Sequence, residues 1–189
     1  SYVSKESGPT NRELPTYAHA VGAVYRNADP TDIVVTAAGG LVGEVVQIWK
    51  PKQRNTFETE WGFSCMGYEI SGALGIKMAK PNQDVIVFVG DGSYLLANSD
   101  IYSSVIYDKK LIIVVCDNGG HMVINRLQLA KGGKEYICNL RSARAKNLQF
   151  VDFESHAKSM GANGETVTST SELEAAFLRA KKSNKTYVC

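Results

Sequence analysis

Two continuous apolar runs constrain this chain more than any other feature: Val85 to Val89 and Leu111 to Cys116, each stopping on a glycine-containing loop. The loops read Gly90-Asp91-Gly92-Ser93 and Asp117-Asn118-Gly119-Gly120. A run of strand length without polar alternation belongs to a strand buried on both faces, as inside a parallel sheet covered by helices. The same grammar starts earlier, where Ile33 to Thr36 reads as a strand running through Ala37 and Ala38 into Gly39 and Gly40. Shorter strands are expected at 56 to 60 and at Glu165 to Val167, and the final residues Tyr187, Val188 and Cys189 read as strand.

Helical spacing fills the intervals. Thr16 can cap a helix whose apolar positions Tyr17, Ala20, Val21 and Val24 continue until Asp29 and Pro30. Further helices are expected through Val45, Ile48 and Trp49, from about Met66 to Met78, from Tyr94 to Tyr107, and from Phe153 to Met160 with Gly161 as its stop. Ser171 with Glu174 reads as a capping box for a last helix to about Lys182. The section from 117 to 147 is irregular and rich in glycine and arginine. Repeated strand, loop and helix imply α/β: one doubly wound parallel sheet of five or six strands with helices on both faces, in a single domain.

Residues 1–15 are polar, carry two prolines and lack periodicity, so they read as a linker or upstream tail, with the domain spanning 16–189. A start on Ser1 and a stop within a strand suggest a C-terminal piece of a longer enzyme. At 44% hydrophobic and 21% charged, the chain is globular rather than disordered. Lys plus Arg (21) against Asp plus Glu (19) lacks the single-sign excess of a phosphate-backbone binder, so no nucleic-acid partner is expected. No apolar run approaches the roughly 18 residues that cross a bilayer, so no membrane partner is expected either. Cys65, Cys116, Cys138 and Cys189 form no CxxC pair, and free thiols fit a reducing cytoplasm.

In such a sheet, ligands sit outside the carboxyl ends of the strands. Gly90-Asp91-Gly92-Ser93 follows a buried strand and opens a helix, where backbone donors and the helix dipole favour an anion such as phosphate. Gly-Asp-Gly is also an ordinary turn sequence. Asn118, 27 positions after Asp91, ends the next buried strand, which would bring the two loops side by side. A carboxylate, a carboxamide oxygen and a carbonyl of the Gly119-Gly120 turn are hard oxygen ligands. Magnesium takes such ligands and completes its octahedron with phosphate oxygens and water, so a metal diphosphate fits.

Gly-Asp-Gly followed at this interval by an asparagine-containing turn resembles the thiamine-diphosphate enzymes, from about residue 16 onward. Four strings more narrowly resemble the trihydroxycyclohexanedione hydrolases of inositol breakdown: Ala-Ala-Gly-Gly-Leu-Val-Gly-Glu (37 to 44), Glu-Trp-Gly-Phe-Ser-Cys-Met-Gly-Tyr-Glu-Ile (60 to 70), Gly-Asp-Gly-Ser-Tyr-Leu (90 to 95) and Asn-Arg-Leu-Gln (125 to 128). One departure is Asp117, where the family has the first of two asparagines. The resemblance implies the thiamine-diphosphate-binding fold, with Mg2+ held by the side chains of Asp91 and Asn118 and the carbonyl of Gly120. Gly90, Gly92 and Ser93 would hold the diphosphate. Met66 would prop the bend of the cofactor while the backbone of Ser64 and Met66 addresses the aminopyrimidine, and Cys65 and Met122 would also contact the cofactor. Plain core packing is the other reading of Met66. Gly39, Gly40 and Leu41 either meet the diphosphate or form a helix-entry turn. His121 either reaches the phosphate or substrate or is a loop residue, whereas His19 and His156 read as surface or packing residues. Arg126, Lys131, Lys134, Arg141 and Arg144 form a solvated face, or bind a polar substrate, or close as a lid.

The implied reaction cleaves the carbon–carbon bond between adjacent carbonyls of a polyhydroxylated cyclic dione to give a deoxyuronic acid. Family members activate the cofactor with a glutamate on a pyrimidine-binding domain contributed across a dimer interface. Glu44, Glu60 and Glu69 belong to the diphosphate half, so no catalytic residue is assigned in this chain, and by itself it is expected to bind weakly and not turn over. Other readings are the β-type subunit of a two-subunit 2-oxoacid decarboxylase, an oxidoreductase subunit disfavoured by the absent iron–sulfur spacing, and a non-catalytic nucleotide-binding module.

Overall fold

The computed structural model describes residues 14–144 and 146–189; of the expected tail, only Leu14 and Pro15 therefore fall within it. The elements, in order, are α1 (Tyr17–Asn27), β1 (Ile33–Thr36), α2 (Gly39–Ile48), β2 (Phe57–Thr59), α3 (Tyr68–Ala79), β3 (Val85–Gly90), α4 (Asp91–Leu96), α5 (Ser99–Ile106), β4 (Ile112–Cys116), α6 (Met122–Ala130), a 3-10 turn (Leu140–Ser142), α7 (Phe153–Ser159), β5 (Asn163–Gly164), α8 (Thr170–Lys182) and β6 (Tyr187–Val188). The strands form one six-stranded sheet in the order β2-β1-β3-β4-β6-β5, every neighbour parallel. The α/β doubly wound fold expected from the sequence is the observed one.

The sheet is buried on both faces because successive side chains of its strands point opposite ways. Val34, Ile86, Phe88, Ile112 and Val114 pack with Val21 and Val24 of α1, Leu41 and Val45 of α2, and Leu173 and Phe177 of α8. Ile33, Val35, Val87, Val89 and Ile113 pack on the other face with Ile70 and Leu74 of α3, Tyr94 of α4, Ile101 of α5 and Ala157 of α7. Thr16 caps α1 as expected, and His19, buried at 4% exposure, completes its capping box. His156 packs too, its Nδ1 lying 2.9 Å from the hydroxyl of buried Tyr94.

Five local expectations are corrected. The edge strand lies at Asn163–Gly164 rather than 165 to 167, since its register is set by Tyr187 and Val188 of β6; only the Glu165 N–H continues the pairing, to the Val188 carbonyl. The capping box of α8 is Ser169 with Glu172, two residues upstream of the pair Ser171 and Glu174; Glu174 instead bonds Arg26 at 2.6 Å. The helix expected from Tyr94 starts at Asp91 and breaks at Ala97, where Ala97 passes so close to Gly67 that a Cβ on that glycine would lie 2.8 Å from Ala97 Cβ. Helix α3 begins at Tyr68, not Met66, because its N-cap Gly67 has left-handed backbone (φ 97°). The irregular section contains a nine-residue helix, α6.

Candidate functional site

The register of β3 against β4 sets Gly90 opposite Cys116, so the loops after both strands leave the sheet at one level. The chain departs from β1 to one side, into β2, and from β3 to the other, into β4. The gap between β1 and β3 is thus the topological switch point, where the carboxyl ends of strands leave a crevice. A cavity of about 190 Å³ lies there.

Gly39, Gly40, Leu41, Ser64, Met66, Gly90, Asp91, Gly92, Ser93, Asn118, Gly120, His121 and Met122 all border it. Cys65 does not; it is exposed, and its N–H donates to Glu60 Oε2 at 2.8 Å, which fastens the turn behind the cavity wall. Met66 is 40% exposed on this wall rather than packed in the core. Of the basic segment, only Arg126 borders the cavity, its guanidinium so close to Gly40 that a Cβ there would lie 2.5 Å from Nη2. Lys131, Lys134, Arg141 and Arg144 are exposed and elsewhere. Tyr17, Ala38, Val123 and Ile124 also line the wall, and sequence spacing carries no signal for them. Tyr17 comes from α1, 101 positions before Asn118, and Ala38 precedes the first glycine.

Asp91 is 3% exposed and opens α4. Its Oδ2 accepts the Gly120 N–H at 2.7 Å, and the backbone of Gly92 and of Asn118 donates to the same carboxyl. Burial pushes its pKa up from the ordinary value, the Asp117 carboxylate pushes the same way, and the three backbone donors oppose the shift. A buried carboxylate beside a second one is stabilised by a cation between or near them. Asp117 itself accepts the Gly119 N–H at 2.9 Å, which tightens the turn that carries Asn118. Asn118 donates through Nδ2 to the Tyr17 hydroxyl, leaving its carboxamide oxygen for a cation. Burial raises the Tyr17 pKa, against the opposing hydrogen bond from Asn118, so the ring stays a neutral phenol. Burial, with Asp91 adding to it, likewise pushes the Cys116 thiol up to about 12, which keeps it protonated and out of ligand or nucleophile chemistry at neutral pH.

The donor set fits magnesium. Among the described residues, no group of three His, Cys, Asp or Glu side chains is placed to hold a metal, as zinc or iron would need. What converges is one carboxylate, one carboxamide and backbone, with open volume for phosphate and water. The wall is tight at two of its glycines. A Cβ on Gly92 would lie 2.8 Å from the His121 ring and 3.4 Å from Met66 Cε. Gly120, at φ 137°, is held against the 138 to 140 strip by the Gly120 and Asn139 bridge, and its Cβ would fall 2.3 Å from the Cys138 carbonyl oxygen.

Residues 37–189 match the family described as thiamine pyrophosphate enzyme, C-terminal TPP binding domain. A 3D-(3,5/4)-trihydroxycyclohexane-1,2-dione hydrolase of Halalkalibacterium halodurans is 40% identical over 163 residues, 86% of this chain and 25% of the relative. Proteins of the same name from Lacticaseibacillus casei and Bacillus subtilis are 41% and 36% identical, covering 88% and 91% of this chain and 26% and 27% of theirs. The chain thus spans about a quarter of the length of these relatives. In fold it superposes on a thiamine diphosphate-dependent 4-hydroxybenzoylformate decarboxylase of Rhodococcus jostii with a TM-score of 0.83 at 17% identity, covering 95% of this chain and 32% of that one. The chain belongs to the thiamine pyrophosphate enzyme family, as a C-terminal TPP-binding domain.

Proposed function

We propose that this chain is the diphosphate- and magnesium-binding part of an enzyme that opens trihydroxycyclohexane-1,2-dione to 5-deoxyglucuronate in inositol degradation. The observation that carries the reading is the convergence of loops 79 positions apart, from Gly39 to Asn118, on one cavity whose polar atoms suit a magnesium diphosphate. Relatives about 40% identical that bear the hydrolase name support the substrate class.

In this reading Asp91, Asn118 and the Gly120 carbonyl would ligate Mg2+, and Gly90, Gly92 and Ser93 would donate to the diphosphate at the head of α4. Gly39, Gly40 and Leu41 would approach it from the head of α2. Met66 would support the bend, with Ser64 and Met66 offering backbone groups to the aminopyrimidine; Arg126, His121 and Met122 would close the far wall. When bound, thiamine diphosphate supplies a carbanion equivalent and electron sink for cleavage between adjacent carbonyls. The chain's own contribution is to hold, bend and desolvate that group.

The partner is a pyrimidine-binding domain carrying the activating glutamate across a dimer interface. The chain by itself would therefore bind cofactor without multiple turnovers on the dione. Among the described residues no helix is long and apolar enough to cross a membrane. The four cysteines are free, which goes with a cytoplasmic location. The test is a thermal-shift panel. Thiamine diphosphate with Mg2+ should raise the melting temperature, whereas thiamine, ADP and NAD with Mg2+ should not. A shift with ADP alone would replace this reading with a nucleotide-binding one.

A further inference from the structure

Glu69 is the second residue of α3, yet its side chain is fully buried, at 0% exposure. Among the described residues, no lysine or arginine forms an ion pair with it. A carboxylate so placed needs donors that replace water. It has two, from two separate loops: Oε1 accepts the Ala38 N–H at 3.2 Å, and Oε2 accepts the Gly67 N–H at 2.9 Å. These residues are the N-caps of α2 and α3, and neither end has a side-chain cap of its own. One negative charge thus sits at the N-terminal ends of two helices, where both dipoles favour it.

Gly39, Gly40 and Leu41 follow Ala38, while Ser64 and Met66 come just before Gly67, and all five border the cavity. Glu69 is not on the cavity wall. We propose that Glu69 is a positioning residue: its carboxylate ties the loop entering α2 to the loop entering α3, and so sets the distance between the glycine wall and the wall that carries Met66. The identity of what that gap receives rests on the cofactor reading above; the tether itself does not.

Glu69→Gln keeps length and shape but turns one acceptor into a donor facing an N–H. In the full chain without cofactor, hydrogen exchange of residues 37 to 41 and 64 to 68 should quicken together by about tenfold or more, the size expected for losing a hydrogen bond to a charged group. Amides of β3 and β4 should keep wild-type protection. Calorimetry with thiamine diphosphate and Mg2+ should read binding about tenfold weaker. Glu69→Asp keeps the charge but falls one methylene short, so it should lie between; if Glu69→Gln does not fold, Glu69→Asp is judged by the same two-loop criterion. Wild-type exchange in both loops, or equal loss of protection across the whole sheet, overturns the tether. Loosened loops with unchanged cofactor affinity overturn the positioning role. If wild type binds no thiamine diphosphate and the two loops still loosen together, the cofactor reading fails and the tether stands.

Discussion

Replacing Gly92 with alanine separates what the site costs in stability from what it does. Gly92 lies in the first turn of α4, and its backbone is not among those with positive φ, so alanine meets no conformational penalty there. A glycine-to-alanine change within a helix gains about 0.5–1 kcal/mol from reduced freedom of the unfolded chain. Against that gain, the new Cβ would lie 2.8 Å from Cε1 and Nδ1 of His121 and 3.4 Å from Met66 Cε. Both are ends of partly exposed side chains that can swing aside, so the net change in stability should stay within about 1 kcal/mol of zero. The cavity fares differently. The methyl group and the displaced ring stand where an anion must approach the backbone, and losing one charge-assisted hydrogen bond costs about 1.5–3 kcal/mol, or roughly 10- to 150-fold in affinity. Denaturant midpoints and calorimetry with thiamine diphosphate and Mg2+, on the same preparations, give both numbers. Unchanged affinity at unchanged stability would refute the idea that this wall faces the diphosphate.

Gly120→Ala should behave in the opposite way. Its φ of 137° and a Cβ 2.3 Å from a backbone carbonyl leave nothing flexible to yield, so the variant should lose roughly 2–4 kcal/mol of stability by denaturant titration. Glu172 gives a pH test. The Thr168 N–H, followed by the Thr168 side chain and the Ser169 groups, holds its carboxyl below the ordinary 4.5. A depressed pKa in the folded state means stability fully present above 4.5 and lost as pH falls through the lowered value, so Glu172→Gln should flatten the acid limb of the melting-temperature profile and change little near pH 7.

Much of the fold is legible because the strand signals are strong. Val85 to Val89 and Leu111 to Cys116 admit few alternatives to buried parallel strands, and the register they adopt is what brings Asp91 beside Asn118. Local pattern misleads where tertiary contacts decide. Helix α6 is hard to read because its polarity is inverted: Asn125 is the one buried residue, while Ile124, Leu127 and Leu129 are exposed. The sequence around α8 offers two overlapping capping boxes, and the second lost its glutamate to Arg26 from α1. Val167 looks a better strand residue than Gly164, yet pairing with β6 selects the latter. At the site, the glycines, Asp91 and Asn118 could be found from spacing, while Tyr17 could not, since only the packed α1 brings it to Asn118.

The proposed site is a magnesium-dependent thiamine diphosphate site built on Asp91. Its most direct test is calorimetric titration of thiamine diphosphate into wild type and Asp91→Ala, each with Mg2+ and again with EDTA, after circular dichroism has verified both folds. Saturable binding by wild type that disappears with EDTA, and none by Asp91→Ala at concentrations that saturate wild type, is the predicted result. Equal affinity in the two proteins, or wild-type binding indifferent to EDTA, would contradict it.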